Sequence, residues 1–370
     1  MTGLEKILAA FSPDGSPETP VVICYPGIFE RDHLGALTHL PWWHGVDTDP
    51  DRQAAFHAEV VRATDLDWFE LHTGASFAEQ AATSFEAEGD DVYRFDRRTG
   101  ARSRLEPPVV SGTLATARGE APDMPNVAAF LDEHVLAPPP GYAIEPGREV
   151  LPARLLAALP DKFPRTAVAA PLWQLSGILS YEQWFLSLIA DPEPLARACE
   201  RLLQWQLQAV RQAKALGVRG IWIEDCLTDQ IGPERFTRLH LPTLRALTEA
   251  IRAAGMFSIH YFCGNPWPVW DLLMDTGADA ISLEESKKGF SIDIDDVAAR
   301  VNGRMTVFGN LDAIEVLESG SRAELEAEIA RQCAAGRRNG RRFIMSTGSP
   351  VTPGTTVERV KLYREITRGN

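Results

Sequence analysis

The second half of the chain alternates helical stretches with short apolar runs at regular intervals. Residues 192–215 carry apolar side chains at the 3.6-residue spacing of an amphipathic helix. Each of five apolar runs follows a glycine able to end a helix, and the runs are 220–224, 257–262, 280–283, 305–308 and 342–345. Strands that alternate with helices in this way predict a parallel sheet with right-handed crossovers.

Weaker apolar runs upstream extend the same pattern. Runs at 21–24, 68–71 and 167–173 bring the predicted strands to eight. A single (β/α)8 TIM barrel, which needs about 250 residues, would then occupy residues 1–370 together with its decorations. We expect an N-terminal extension over about 1–60 and an inserted β-hairpin over about 91–106. An open doubly wound sheet is the alternative, and the lack of a glycine-rich phosphate loop after any strand weakens it.

Charge and cysteine usage narrow the classes of partner. The chain has 37 basic and 51 acidic residues, which disfavours a nucleic-acid surface because phosphate binding needs a basic patch. No apolar run reaches the roughly 18 residues of a membrane span, and the start lacks the pattern of a signal peptide. Five scattered cysteines suit a reducing compartment. We therefore expect a cytoplasmic protein without nucleic-acid or membrane partners, and a homodimer is the commonest oligomer for such a chain.

Chemically competent residues follow the predicted strands of the second half. In a (β/α)8 barrel the active site lies at the carboxyl ends of the strands, so these residues are expected at one rim. The candidates are Glu224, Asp225, His260, Tyr261, Cys263, Asn265, Glu284, Gly309, Asn310, Asp312 and Ser349. For Asn310 and Asp312 a second interpretation stays open, since either side chain can cap the helix that follows.

Three of these candidates suggest a metal. His260 and Cys263 leave one predicted strand and Glu284 ends the next, and nitrogen, sulfur and oxygen ligands together suit zinc. On an extended strand, Tyr261 and Cys263 share one face while His260 points to the other. A bulge is needed for His260 and Cys263 to share an ion, and packing or hydrogen bonding is the alternative role for both.

The assembled motifs resemble the uroporphyrinogen decarboxylase superfamily, and within it the corrinoid-dependent methyltransferases (methylcobalamin:coenzyme M-like or O-demethylase-like). The resemblance runs from about Gly217 to Glu365. It rests on the order and spacing of Pro242 and five segments. The segments are 232–236, 263–265, 277–282, 309–312 and 346–348. Their succession is far more specific than any one of them.

The resemblance implies a (β/α)8 barrel that binds zinc through His-x-Cys and a later cysteine. It also implies transfer of a methyl group to or from a corrinoid carried by a partner protein. Here His260 precedes Cys263 by three residues, and Ser349 stands where the later cysteine is expected. The implied zinc ligands are therefore His260, Cys263 and either Glu284 or Glu224.

Other rim residues receive roles from the same resemblance. Cofactor contacts are expected from Asn265, Gly309 and Ser349, and the expected catalytic residues are Asp225, Tyr261, Asn310 and Asp312. Asp225 or Asp312 would orient or protonate the leaving group.

The leading hypothesis is a zinc-dependent methyltransferase that moves a methyl group between a small O-, N- or S-methyl compound and a corrinoid protein. A second hypothesis is a metal-free decarboxylase-like lyase that uses Tyr261, Asp225 and His260 as acid–base groups. A third is a non-catalytic barrel that binds a corrinoid or another tetrapyrrole. Uroporphyrinogen itself is disfavoured, because its propionate carboxylates call for a basic pocket that the sequence does not offer.

Overall fold

A parallel sheet of seven strands forms the centre of the protein. The computed structural model describes residues 1–113, 126–139, 141, 143–287 and 289–370. The seven strands of this sheet are β1 (Trp68–Glu70), β5 (Phe163–Ala169), β6 (Gly220–Cys226), β7 (Phe257–Cys263), β8 (Ala280–Leu283), β9 (Thr306–Phe308) and β10 (Phe343–Ile344). A separate antiparallel sheet consists of β2 (Thr83–Glu88), β3 (Asp91–Asp96) and β4 (Arg102–Leu105).

Helices connect the strands and cover the outside of the sheet. In chain order they are α1 (Gly3–Phe11), α2 (Pro26–Asp32), α3 (Leu34–Leu37), α4 (Pro50–Thr64), α5 (Phe77–Ala82), α6 (Val127–His134), α7 (Val150–Ala158), α8 (Pro171–Leu175), α9 (Tyr181–Ala190), α10 (Glu193–Leu216), α11 (Gly232–Arg235), α12 (Leu241–Ala253), α13 (Trp270–Met274), α14 (Ile294–Val301), α15 (Arg322–Arg338) and α16 (Val357–Arg368). The helix predicted at 192–215 is α10, and Gly217 ends it in a left-handed conformation with φ 91°. Within the described residues, no helix combines the length and apolar character needed to cross a membrane.

The strands of the large sheet follow one another in space as they do along the chain, in the order β1-β5-β6-β7-β8-β9-β10. A doubly wound sheet reverses its strand order at the centre, so the open-sheet alternative is wrong. The sheet curls on itself. This curl is shown by the contact between Trp68 on β1 and Phe308 on β9, whose ring centroids lie 5.7 Å apart. This curled parallel sheet confirms the predicted α/β, TIM-barrel-like class.

The run at 21–24 was predicted as a strand but forms an isolated parallel bridge, from Val21 to Met345. The chain leaves the extended conformation at once, since Tyr25 has φ 49° and the next residue begins α2. The carbonyl of Val21 also accepts a hydrogen bond of 3.0 Å from the backbone N–H of Asp67, just before β1. The segment therefore contacts both ends of the sheet without adding a regular strand.

The strand predicted at 167–173 begins four residues earlier in the structure. The strand is β5, Phe163–Ala169, and Pro171 begins α8. Proline is well suited to the first turn of a helix, so the end of the apolar run becomes helical.

The two faces of the curled sheet have separate cores. Trp222 and Tyr261 point inward, whereas Ile223 and Phe262 point outward to the helices. Helix α1 packs against the inner core, where Phe11 stacks on Phe257 with ring centroids 4.3 Å apart. The inner core thus fills the curled sheet at the amino-terminal ends of its strands, and polar groups gather at the carboxyl ends of the strands.

The segment predicted as a β-hairpin at 91–106 contains β3 and β4. They pair antiparallel from Val92 opposite Leu105 to Phe95 opposite Arg102. β2 adds a third strand on the other side of β3.

Candidate active site at the carboxyl ends of the strands

Two cysteines face each other on the inner side of β6 and β7. Cys226 and Cys263 are register partners in the parallel ladder, and both pack against the inner core while remaining half-buried. The hydrogen bond between their side chains, followed by burial, raises the pKa of Cys226 far above its ordinary range. We call the inner face at the carboxyl ends of β1, β5, β6 and β7 the mouth.

The Cys263-Gly264-Asn265 motif makes a tight turn at the mouth. Gly264 has φ 141°, and a Cβ atom there would lie 2.4 Å from the carboxyl carbon of Asp229. The backbone N–H of Asn265 donates to Asp229 at 3.0 Å, while its side-chain oxygen accepts from the backbone N–H of Trp267. The motif therefore fixes the end of β7, and the Asn265 side chain caps the next turn.

His260 lies on the opposite side of β7 from Cys263. Its Nε2 donates to Oδ2 of Asp225 at 2.9 Å, and Nε2 of His240 donates to the same oxygen at 2.7 Å. Thr228 donates to the other carboxylate oxygen at 2.7 Å. This buried cluster of Asp225, His240, His260 and Thr228 lies between the sheet and the helices.

The surroundings of Asp225 favour its carboxylate form. Burial by itself raises the pKa of Asp225, but the two histidines outweigh burial and hold that pKa well below its ordinary value. Asp225 is completely buried away from the mouth. The geometry therefore places Asp225 and His260 on the helix-facing side of the sheet, where they bind each other, and not in the mouth where the predicted acid–base roles would need them.

The predicted zinc ligands do not come together. Cys263, Glu224 and Glu284 face the interior, but His260 faces the helices because β7 continues without a bulge. Among the residues that the structure describes, no group of three or more His, Cys, Asp or Glu side chains is arranged to hold a metal ion. The residues present do not fit the zinc site that the resemblance implies.

Ser349, expected to contact a cofactor, belongs to a buried charged cluster. Its hydroxyl donates to Oε2 of Glu285 at 2.7 Å and accepts from Nζ of Lys287 at 2.9 Å. Lys287 also forms an ion pair with Glu285. Burial raises the pKa of Glu285, and Lys287 opposes that effect.

Three rim residues predicted to act at the site have structural roles. Asp312 caps the turn of helix at Ala313–Glu318, accepting from the backbone N–H groups of Ile314 and Glu315 at 2.8 Å. Asn310 donates to the carbonyls of Glu284 and Ile292 at 3.1 and 2.9 Å. Gly309 packs against α15, where a Cβ atom would lie 2.8 Å from the Gln332 side chain. The capping interpretation is therefore correct for Asp312, while Asn310 ties two loops together.

Tyr261 does lie inside the mouth, as predicted. Its ring stacks on Trp222 with centroids 5.0 Å apart, and its hydroxyl donates to the carbonyl of Gly348 at 3.2 Å. Burial raises the pKa of Tyr261 well above its ordinary value, so the side chain is a neutral hydrogen-bond donor at physiological pH.

Sequence reasoning missed the residues that the first half of the chain contributes to the mouth. Arg165 on β5 is buried, pairs with Glu70 at 3.3 Å and lies over the ring of Trp68. Burial and then Glu70 raise the pKa of Glu30 to about 7. Glu70 ends a predicted strand, so applying the strand-end rule to the first half of the chain would have found it. Arg165 was hidden because β5 was placed four residues late.

Glu224 faces the same part of the mouth. Burial raises its pKa, and the opposing influences are the charge of Arg165 and a hydrogen bond from Tyr25. Glu30, Glu70 and Glu224 therefore surround one arginine, and two of these carboxyl groups hold protons more tightly than usual. Such groups suit proton transfer near neutral pH.

A cavity of about 600 Å³ lies at the amino-terminal end of the sheet, away from the mouth. Most of its charged lining residues form ion pairs, of which Lys6 with Asp67 at 2.8 Å is buried. We place the candidate site at the mouth, because catalytic groups of parallel barrels lie at the carboxyl ends of the strands.

Comparison with known proteins identifies the family of this chain. The family described as uroporphyrinogen decarboxylase (URO-D) matches residues 112–369, well over half of the chain. The chain belongs to the URO-D family.

Individual relatives are distant. A uroporphyrinogen decarboxylase of Solibacter usitatus is 28% identical over 156 residues, and one of Anaeromyxobacter dehalogenans is 26% identical over 174 residues. The alignments span 42% and 47% of those proteins, and the same shares of this chain. A methyltransferase from Methanosarcina mazei superposes with a TM-score of 0.67 at 17% identity, covering 99% of this chain and 98% of that one. At 17% identity, the likeness to this methyltransferase shows the fold alone.

Proposed function

We propose that the protein is a methyltransferase acting on a small, neutral or cationic methylated compound at the mouth. The observation that carries the proposal is the charge of the mouth. Arg165 in the mouth is paired with Glu70, and Lys287, which follows the neighbouring strand β8, is paired with Glu285, so neither cation is available to a polycarboxylate. Further carboxyl groups and two thiols line the remaining surface.

The protein's own groups supply binding and proton transfer. The pKa of Glu30 is raised to about 7 and that of Glu224 is raised by burial, so either carboxyl group is suited to protonate an oxygen, nitrogen or sulfur atom that loses its methyl group. Tyr261 and Trp222 form an apolar wall that excludes water from the reacting atoms. A corrinoid on a partner protein would supply the cobalt that accepts or donates the methyl group. No step is assigned to zinc.

The test is methyl transfer to cob(I)alamin. Purified protein is mixed with cob(I)alamin and, separately, a methylamine, a methyl ether and a methyl thioether, and methylcobalamin is followed by its visible spectrum. We expect product with at least one donor, and a loss of at least tenfold in Glu30→Gln as general-acid contributions are commonly about 10²–10⁴. Glu358→Gln, a change on α16 away from the mouth, is the matched control and should retain full activity.

A uroporphyrinogen decarboxylase activity is the second candidate, favoured by the names of both curated relatives. It is tested by incubating uroporphyrinogen with the protein and separating the porphyrins after oxidation. Products that have lost carboxyl groups, without methyl transfer to cobalamin, would overturn the proposed function. If neither reaction occurs and cobalamin binds tightly, the result would favour the non-catalytic alternative. The corrinoid protein and a homodimer remain predicted partners.

A further inference from the structure

The pair Cys226 and Cys263 has the spacing of a disulfide. They are opposite each other in a parallel ladder, and adjacent strands lie about 4.7–4.9 Å apart. Disulfides form across Cα separations of about 4.4–6.8 Å. Their side chains already hydrogen-bond to each other on the same face of the sheet, so little backbone movement is needed.

The same two thiols are the most exposed of the five. All five cysteines are thiols, and Cys24, Cys199 and Cys333 are at most 1% exposed. Cys226 and Cys263 are half-buried at the mouth, where a small solute can reach them. An oxidant entering the mouth therefore meets these two sulfur atoms before the others.

We propose that Cys226 and Cys263 form a reversible disulfide on exposure to a peroxide, and that this bond is a redox switch of the mouth. Hydrogen peroxide transfers one oxygen to the sulfur of Cys263, giving a sulfenic acid and one water molecule. The thiol of Cys226 then attacks that sulfur, forming the S–S bond and releasing the oxygen as a second water molecule. Two thiols are oxidised, one peroxide is reduced, and the two thiol hydrogens leave in the water. A small thiol reductant reverses the reaction by thiol–disulfide exchange.

The bond would join the ends of β6 and β7 beside Glu224. It removes both thiols from the mouth and blocks the turn at residues 263–265 from moving away from β6. The consequence for methyl transfer rests on the proposed function, whereas formation of the bond does not.

The experiment oxidises the full chain with hydrogen peroxide, alkylates remaining thiols, digests it without reductant and identifies cross-linked peptides by mass spectrometry. We expect one intramolecular peptide pair joining Cys226 to Cys263, which dithiothreitol removes. Cys226→Ser and Cys263→Ser should each lose this pair. Cys199→Ala, whose thiol is buried in α10, is the control and should keep it.

Three results would overturn the proposal. They are sulfinic or sulfonic acid at Cys263 without a cross-link, a cross-link only between separate chains, and equal linkage of Cys226 to every other cysteine. Circular dichroism establishes whether each serine variant is folded. If one variant is not folded, the cross-linked peptides of the wild-type chain alone decide between the proposal and these three results. Failure of methyl transfer in the reduced protein would reject the proposed function while leaving the disulfide result intact.

Discussion

His260 and Asp225 are joined by a hydrogen bond of 2.9 Å on the helix-facing side of the sheet, and His240 binds the same carboxylate oxygen. This bond shows that Asp225 and His260, both predicted to act at the active site, lie on the helix-facing side of the sheet and not in the mouth. Asp225 and His260 therefore stabilise the ends of β6 and β7, on whose inner faces Cys226 and Cys263 lie.

Removing the charge of Asp225 should destabilise the fold. Asp225→Asn leaves two buried histidines without a carboxylate, and breaking a buried pair in this way costs about 3–5 kcal/mol. The free energy of unfolding is measured by urea denaturation at pH 7. Asp312→Asn is the matched control, since asparagine caps a helix as well as aspartate and little change is expected.

The Asp225 effect should depend on pH in one direction. Its pKa is lowered in the folded protein from an ordinary value of 3.8, so its stabilisation is present above about pH 4 and is lost as the pH falls further. The difference in unfolding free energy between the wild type and Asp225→Asn should therefore shrink as the pH falls below 4. A difference that grows below pH 4 would contradict the lowered pKa of Asp225.

Glu30 should destabilise the protein at high pH. Its pKa is raised to about 7 from an ordinary value of 4.5, so the folded state holds a proton that the unfolded state releases between these values. Stability should fall as the pH rises from 4.5 to 7. Glu30→Gln removes this penalty and should gain about 1–3 kcal/mol over the wild type at pH 8, with no gain at pH 4, by urea denaturation. An equal gain at both pH values would point to packing instead.

The turn after Cys263 should require glycine. Gly264→Ala combines a φ of 141° with a contact of 2.4 Å to Asp229, and we expect a loss of at least about 2 kcal/mol in unfolding free energy. Gly27→Ala is the control, because an added Cβ meets nothing within 4 Å there and α2 tolerates alanine. Equal stability of the two variants would show that the turn can relax.

Substitution of His260 should not change metal content. Zinc is measured by elemental analysis of protein purified without chelator, for the wild type, His260→Gln and Cys263→Ala. Because His260 is bound to Asp225 and Ser349 to Glu285, we expect well under one zinc per chain in all three. Stoichiometric zinc that disappears in His260→Gln would require β7 to rearrange in solution.

Local patterns in the sequence predicted much of the second half of the fold. Helix α10 and strands β6 to β8 lie where hydrophobic periodicity indicated, because each depends on residues a few positions apart. The two-residue alternation of a strand was also enough to separate His260 from Cys263. The upstream strands were less accurate, since Tyr25 and Pro171 end extended backbone within apolar runs.

The sequence by itself determined the family, the class of fold and the presence of Cys263 at a strand end. Only the tertiary structure decided which side chains are partners. Cys226 meets Cys263 through the register of two strands, His240 reaches Asp225 from a helical turn, and Arg165 pairs with Glu70 across β5 and β1. These partners are far apart along the chain, and the packing that joins them leaves no local sequence signal.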